Sequence, residues 1–168
     1  MRVFDTYNAK TIEAICLEGL SGPFRLSMIY GASGLGKTVG LKLFAENNPR
    51  VIYSVMGVQK KEVGLLDTLS GTSEPDQLTR VVSMCIEGGI RLIILDDFQI
   101  SEKSIDEVNG FISRLGRLQI NLVLSCTHNA PKLAISRACA GHITKRFMNR
   151  ARFIGMQRPT KDEVRAIC

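Results

Sequence analysis

Two rhythms of apolar residues alternate along the chain. In the first, apolar side chains run almost unbroken through Phe24–Tyr30, Val51–Met56, Arg91–Asp97, Asn121–Thr127 and Arg152–Met156. Short apolar runs of this kind, rich in β-branched residues and bounded by turn signals such as Asn48-Pro49-Arg50 and Gly57, mark strands covered on both faces. In the second, apolar residues recur every three or four positions, as on one face of a helix. Ile12, Ile15, Cys16 and Leu20 form such a stripe within residues 8–20, which Gly22-Pro23 ends, and 39–45 forms another. Leu78, Val81, Val82, Cys85 and Ile86 repeat within 76–88, with Pro75 near the first turn and Gly88-Gly89 as the stop. Ser104-Ile105-Asp106-Glu107 has capping-box spacing and predicts a helix that turns Ile105, Val108, Phe111, Ile112 and Leu115 inward. A shorter helix is expected from Pro131. Thr160–Glu163 repeats the capping-box spacing directly after Pro159. Strands that alternate with helices predict an α/β fold in three layers, with a five-stranded parallel sheet between helices.

Composition bounds this picture without changing it. A chain of 168 residues, 45% hydrophobic and 23% charged, suits one globular domain with a sizeable core. No apolar run approaches the ~20 residues that span a bilayer, and the first residues lack a secretory core. No membrane partner is expected. Cysteines at 16, 85, 126, 139 and 168 include no C-x-x-C pair and sit among apolar residues, which predicts reduced thiols and a cytoplasmic setting. Neither His128 nor His142 has metal-ligand spacing with them. The net charge of +6 is uneven: residues 144–158 hold Lys145, Arg146, Arg150, Arg152 and Arg158 and no acid. Such a run is either a solvated face or a surface for phosphates, of a nucleotide in an assembly or of a nucleic-acid backbone.

The chemistry concentrates at three strand ends. After the first strand comes Gly31-Ala32-Ser33-Gly34-Leu35-Gly36-Lys37-Thr38, the full phosphate-loop pattern G-x-x-x-x-G-K-[ST]. Glycines let the backbone wrap a phosphate chain, and successive N–H groups line one concavity at the start of a helix. Lys37 is expected to reach the β- and γ-phosphates of a nucleoside triphosphate, and Thr38 to hold Mg²⁺. The third strand ends Leu95-Asp96-Asp97, which puts carboxylates at the mouth where ligands of open α/β sheets bind. If this strand lies beside the phosphate-loop strand, Asp96 helps hold the hydrated Mg²⁺ and Asp97 polarises the attacking water. The fourth strand ends in Ser125, Thr127, His128 and Asn129; where an extra strand separates the two signatures, a polar group here orients that water. Thr127 is the first choice and Asn129 the alternate, although Asn129 also suits a helix N-cap. Arg137, Arg146 or Arg150 is a candidate for a charge supplied to a neighbouring subunit's γ-phosphate, Arg146 foremost.

Together these residues resemble the AAA+ ATPases, a P-loop NTPase class, and more narrowly the Mu B-type DNA transposition ATPases of phages and bacterial transposons. Val3–Asn8 looks like the segment that lies against the adenine, which makes Thr6 and Tyr7 nucleotide contacts. Leu122–Thr127 resembles the sensor strand, Lys145-Arg146-Phe147 the Ser-Arg-Phe before the last core strand, and Arg158–Val164 the opening of the lid. The resemblance implies a nucleotide-binding core over 1–157 and a minimal or truncated lid over 158–168. It implies ATP with Mg²⁺, homo-oligomers as filaments or rings on double-stranded DNA, sequence-nonspecific grip on phosphates, and delivery of target DNA to a transposase. The setting is then the cytoplasm of a bacterium or a phage-infected host. Lys60 and Lys61, in the loop after the second strand, and Lys103 become DNA-contact candidates. Two departures stand out. The family usually ends its acidic motif Asp-Glu, and Asp97 is shorter by one methylene, about 1.5 Å, so slow hydrolysis is expected. The lid is almost absent. The helicase-loader group of AAA+ ATPases, whose Leu-Asp-Asp-Phe matches Leu95–Phe98, is the alternative. A small-molecule kinase or a nucleotide-latched signalling ATPase ranks behind it.

Overall fold

The computed structural model describes residues 6–56 and 77–158, together with 160 and 162. Residues 1–5, Lys60 and Lys61 with the rest of their loop, and most of the expected lid lie outside the described residues. Eleven elements follow in chain order: α1 (Tyr7–Ser21), β1 (Leu26–Tyr30), α2 (Lys37–Glu46), β2 (Val51–Val55), α3 (Gln77–Glu87), β3 (Leu92–Asp96), α4 (Glu102–Leu118), β4 (Asn121–Cys126), α5 (Pro131–Ala138), α6 (Gly141–Met148) and β5 (Ala151–Gly155). None of the described helices is long and apolar enough to cross a membrane.

The five strands form one parallel sheet in the order β2-β3-β4-β1-β5. The expected α/β three-layer fold is therefore the observed one. Of the two arrangements the motifs leave open, the observed one has β4 running between the phosphate-loop strand β1 and the acidic strand β3. Alternating residues of each buried strand feed two apolar layers, as a pleat requires. Leu26, Met28, Ile93, Leu95, Leu122 and Leu124 point to one side, where they meet Val108, Ile112 and Leu115 of α4 and Phe147 of α6. Ile29, Leu92, Ile94 and Val123 point to the other, against Ile12, Ile15 and Cys16 of α1 and Leu41 of α2. Phe147 meets Phe153 edge-on at a centroid separation of 6.3 Å, which ties α6 to β5.

Two helices differ from the expectation. Helix α4 begins at Glu102, with Ser101 rather than Ser104 as its cap: the Ser101 hydroxyl accepts from the Ser104 N–H, and Ser104 Oγ accepts from the Ser101 N–H. The serine pair closes the reciprocal box three residues early. Helix α6 was not anticipated. Its buried residues are Ile143 and Phe147 alone, too few to show a period.

Candidate nucleotide site

Three strand ends and one helix start converge at the C-terminal edge of the sheet. The phosphate loop leaves β1 after Tyr30 and enters α2 at Lys37. Gly34 and Gly36 have φ of +82° and +80°, and nothing within 4 Å would obstruct a Cβ at either position. Glycine is thus needed there for backbone conformation rather than for space. Gly31, at φ +147°, has both constraints: a Cβ would stand 3.0 Å from Leu35 Cδ1 and 3.2 Å from Met156 Cβ. Gly36 caps α2 with no side-chain hydrogen bond, so the first turn of α2 keeps donors for an anion.

Lys37 is only 6% exposed, and its ammonium donates to the carbonyls of Gly31 (2.7 Å) and Ala32 (2.8 Å). Burial pulls its pKa below the usual lysine value, while the charges of Cys126, Asp96 and Asp97 push it back up. Ser33 and Thr38 are exposed, and Ala32 and Leu35 half-buried.

Asp96 is buried, at 2% exposure. Its Oδ2 accepts from the Tyr53 hydroxyl at 2.9 Å and its Oδ1 from the Asp97 N–H at 2.9 Å. Burial first, then the hydrogen bond to Asp96 and its charge, raise the Tyr53 pKa, so the hydroxyl stays a donor. Asp97 is half-buried in the left-handed region at φ +53°, rare for a residue with a side chain. The turn is held because Phe98 buries its ring and donates its N–H to the Ser125 carbonyl at 2.7 Å. The Asp97 carboxyl is thereby offset from the strand axis that carries Asp96.

The remaining expected residues fall as follows. Thr127 lies one residue past β4 and is exposed, as are His128 and Asn129. Asn129 does not cap α5, whose N-cap is Ala130, with no side-chain bond. Thr6 is the N-cap of α1 and accepts from the Ala9 N–H at 3.2 Å, and Tyr7 is 53% exposed. Lys103 is exposed in the first turn of α4. Arg146 is exposed in the last turn of α6, just before β5. Because β5 starts opposite Leu26, the start of β1, Arg146 lies toward the strand end remote from its own phosphate loop. Arg152 is not a free phosphate contact: with Arg25 it shares Glu18 Oε2, at 3.0 and 2.6 Å.

Three residues of the site have contacts or burial that the sequence does not signal, although Ser125 is among the polar residues that end the fourth strand. Tyr53 read only as a strand residue. Ser125, one residue before the end of β4, buries a hydroxyl with no partner among the described residues. Asn8 joins three segments: its amide donates to the Leu35 carbonyl in the phosphate loop (3.2 Å) and to the Gln157 carbonyl (2.8 Å), and accepts from the Gln157 N–H (3.0 Å). An asparagine in the first turn of a helix gives no hint of partners so distant in sequence.

The residues fit a triphosphate with a divalent cation. The left-handed glycines, the uncapped start of α2, an ammonium bonded to loop carbonyls and a buried carboxylate at the same edge of the sheet are what such a ligand requires. Gly31–Lys37 would hold the phosphates, and Thr38 and Asp96 the cation.

The chain matches no protein-family model and no curated protein. Its fold does match solved structures. Domain III of the Thermotoga maritima replication initiation protein DnaA aligns with a TM-score of 0.58 at 15% identity, over 98% of this chain and 69% of that one. AMPPCP-bound DnaA from Aquifex aeolicus aligns at 0.55 and 21%, over 98% of this chain but 51% of its own. A putative primosome component from Streptococcus pyogenes aligns at 0.52 and 14%, over 92% and 82%. This chain thus spans about half of the Aquifex initiator. Sheet order, phosphate loop and these likenesses together give the chain the three-layer α/β fold of DnaA domain III.

Proposed function

We propose that the chain binds ATP with Mg²⁺, hydrolyses it, and acts on DNA as an oligomer. One observation carries the reading: the buried Lys37 ammonium is held on the Gly31 and Ala32 carbonyls of the phosphate loop. The loop N–H groups and Lys37 bind the phosphates, and Asp96 and Thr38 orient the cation. Bound MgATP supplies the terminal phosphoryl group that water attacks. Asp97 is placed to orient that water and accept its proton, with Thr127 as a second polar group at the mouth. Arg146, on the far strand end, would serve a second copy's site, which makes oligomerisation part of the reaction.

Two substitutions test this. Lys37→Ala should abolish ATP binding. Asp97→Asn should keep binding and stop turnover. Normal ATP affinity in the first, or normal turnover in the second, would refute the assignment.

The finer reading is sequence-nonspecific grip on duplex DNA, with delivery of target DNA to a transposase. It rests on the resemblance of the two chain ends and of the motifs between them to Mu B-type ATPases. Lys60, Lys61 and Lys103 are the proposed DNA contacts. A helicase-loader role is the second reading, favoured by likeness to the initiators and to the primosome component, and by Leu95-Asp96-Asp97-Phe98. One of the neighbouring initiators is bound to AMPPCP and single-stranded DNA, which supports a nucleic-acid partner under either reading. Electron microscopy with ATP, with and without duplex DNA, separates these from a small-molecule kinase: filaments or rings should form only with DNA. Stimulation of turnover by a transposase or by a replicative helicase then decides between the two.

A further inference from the structure

We propose that Tyr53 is a positioning residue for the cation site, fixing the plane of the Asp96 carboxylate through its hydroxyl. The inference rests on the nucleotide reading above and adds to it a residue from the neighbouring strand.

The register explains how a β2 residue reaches this carboxylate. Val55 stands directly across from Asp96, and Tyr53 across from Ile94, so Tyr53 is two residues short of Asp96 and on the same face. Its ring packs with the apolar cluster beneath α1 and α2, and the phenol extends along the sheet to Oδ2. A carboxylate offers roughly four acceptor positions. The Asp97 N–H takes one on Oδ1 and the Tyr53 O–H one on Oδ2, which leaves one on each oxygen without a partner among the described residues. With a donor on each oxygen, the carboxylate cannot turn about Cβ–Cγ without breaking a hydrogen bond. With the Asp97 N–H alone, turning breaks one hydrogen bond instead of two. Asp97 is itself held by the left-handed turn that Phe98 anchors on β4. Asp96 is thus braced from β2 on one side and through the β4-anchored turn on the other.

A tyrosine hydroxyl in a half-buried strand position needs a partner, and a nearby carboxylate would satisfy it even if nothing bound there. Placement argues for more than this. The phenol meets a buried acid at the strand mouth, beyond the same sheet edge as the phosphate loop, and groups that orient a cation's ligand set its affinity.

Tyr53→Phe removes the hydroxyl and keeps the ring, so the sheet packing survives. The probe is Mn²⁺, counted by electron paramagnetic resonance on protein loaded with ATP, beside ATP affinity measured without divalent cation. Tyr53→Phe should weaken Mn²⁺ retention about tenfold, leave cation-free ATP affinity unchanged, and let turnover recover at high Mg²⁺. In an Asp96→Asn background, the same change should have no further effect on Mn²⁺. The inference is overturned if Tyr53→Phe retains Mn²⁺ like the parent, if it weakens cation-free ATP binding equally, or if the two substitutions add. Should the unsubstituted protein with ATP hold no Mn²⁺ beyond that held by ATP alone, the nucleotide reading falls and this inference with it. A parent that binds Mn²⁺ beside an unaffected Tyr53→Phe overturns the positioning role alone.

Discussion

Asn8→Ala would cut the chain's tightest link between the N-terminal helix, the phosphate loop and the segment after β5. Three hydrogen bonds disappear, two donated by the amide nitrogen to Leu35 and Gln157 and one accepted from the Gln157 N–H. Asn8 is 8% exposed, so little water competes for these bonds in the folded state. At about 1 kcal/mol net per hydrogen bond the loss is about 3 kcal/mol. Gln157 is exposed, and water re-satisfies its peptide groups once the side chain is gone; the half-buried Leu35 carbonyl is less accessible. We therefore expect a loss of about 2 kcal/mol, which for a chain of this size lowers Tm by about 4–8 °C. Asn8→Asp sharpens the test. It keeps the acceptor for the Gln157 N–H but sets a carboxylate against the carbonyls of Leu35 and Gln157, so it should be no more stable than the alanine variant. Circular dichroism melting of nucleotide-free protein measures both, and a fluorescent ATP analogue reports the loop, whose affinity should fall in each. An alanine variant within about 0.5 kcal/mol of the parent, the range of an ordinary surface change, would refute the linkage. So would an aspartate variant that matched the parent.

Two further outcomes follow from backbone and burial. Gly36→Ala should cost about 1–2 kcal/mol for the left-handed conformation alone, and Gly31→Ala more, because its Cβ also meets Leu35 and Met156; urea midpoints in the reverse order would contradict the geometry. Burial raises the Cys16 thiol pKa to about 12 and the Cys85 thiol to about 11, from 9.0. A raised folded-state pKa means stability that is complete below the unfolded value and lost as pH climbs through the folded one. Each thiol should thus remove roughly 1.4 kcal/mol per pH unit from about pH 9 upward, to its own folded value. Comparing urea midpoints at pH 8 and pH 10 for the parent and for Cys16→Ala with Cys85→Ala checks this. The double variant should lose less on going alkaline, and equal losses would refute the thiols as the cause.

What the sequence shows and what it hides follow from how far apart the cooperating residues lie. The phosphate loop is legible because its glycines, lysine and threonine act on one ligand from consecutive positions, so spacing alone carries the geometry. Asp96 and Asp97 are legible for the same reason, as the end of an apolar run. That β4 lies between β1 and β3 is not written locally: every one of these strands is buried on both faces, and no apolar pattern distinguishes one neighbour from another. The hidden residues all depend on such pairings. Tyr53 reaches Asp96 only because β2 takes the edge beside β3 in the observed register, and Asn8 meets Gln157 across 149 positions of sequence. Arg146 illustrates the converse, since its motif was readable but its remoteness from its own phosphate loop was not until β5 was seen to pair with β1 from Leu26 onward. On the function proposed above, a sheet order that places the loop at one strand end and Arg146 at the other assigns that arginine to the site of a second copy. That proposal predicts hydrolysis that rises more steeply than linearly with protein concentration in the parent and becomes linear and slow in Arg146→Ala; a parent strictly linear at every concentration would argue that the site is complete within one chain.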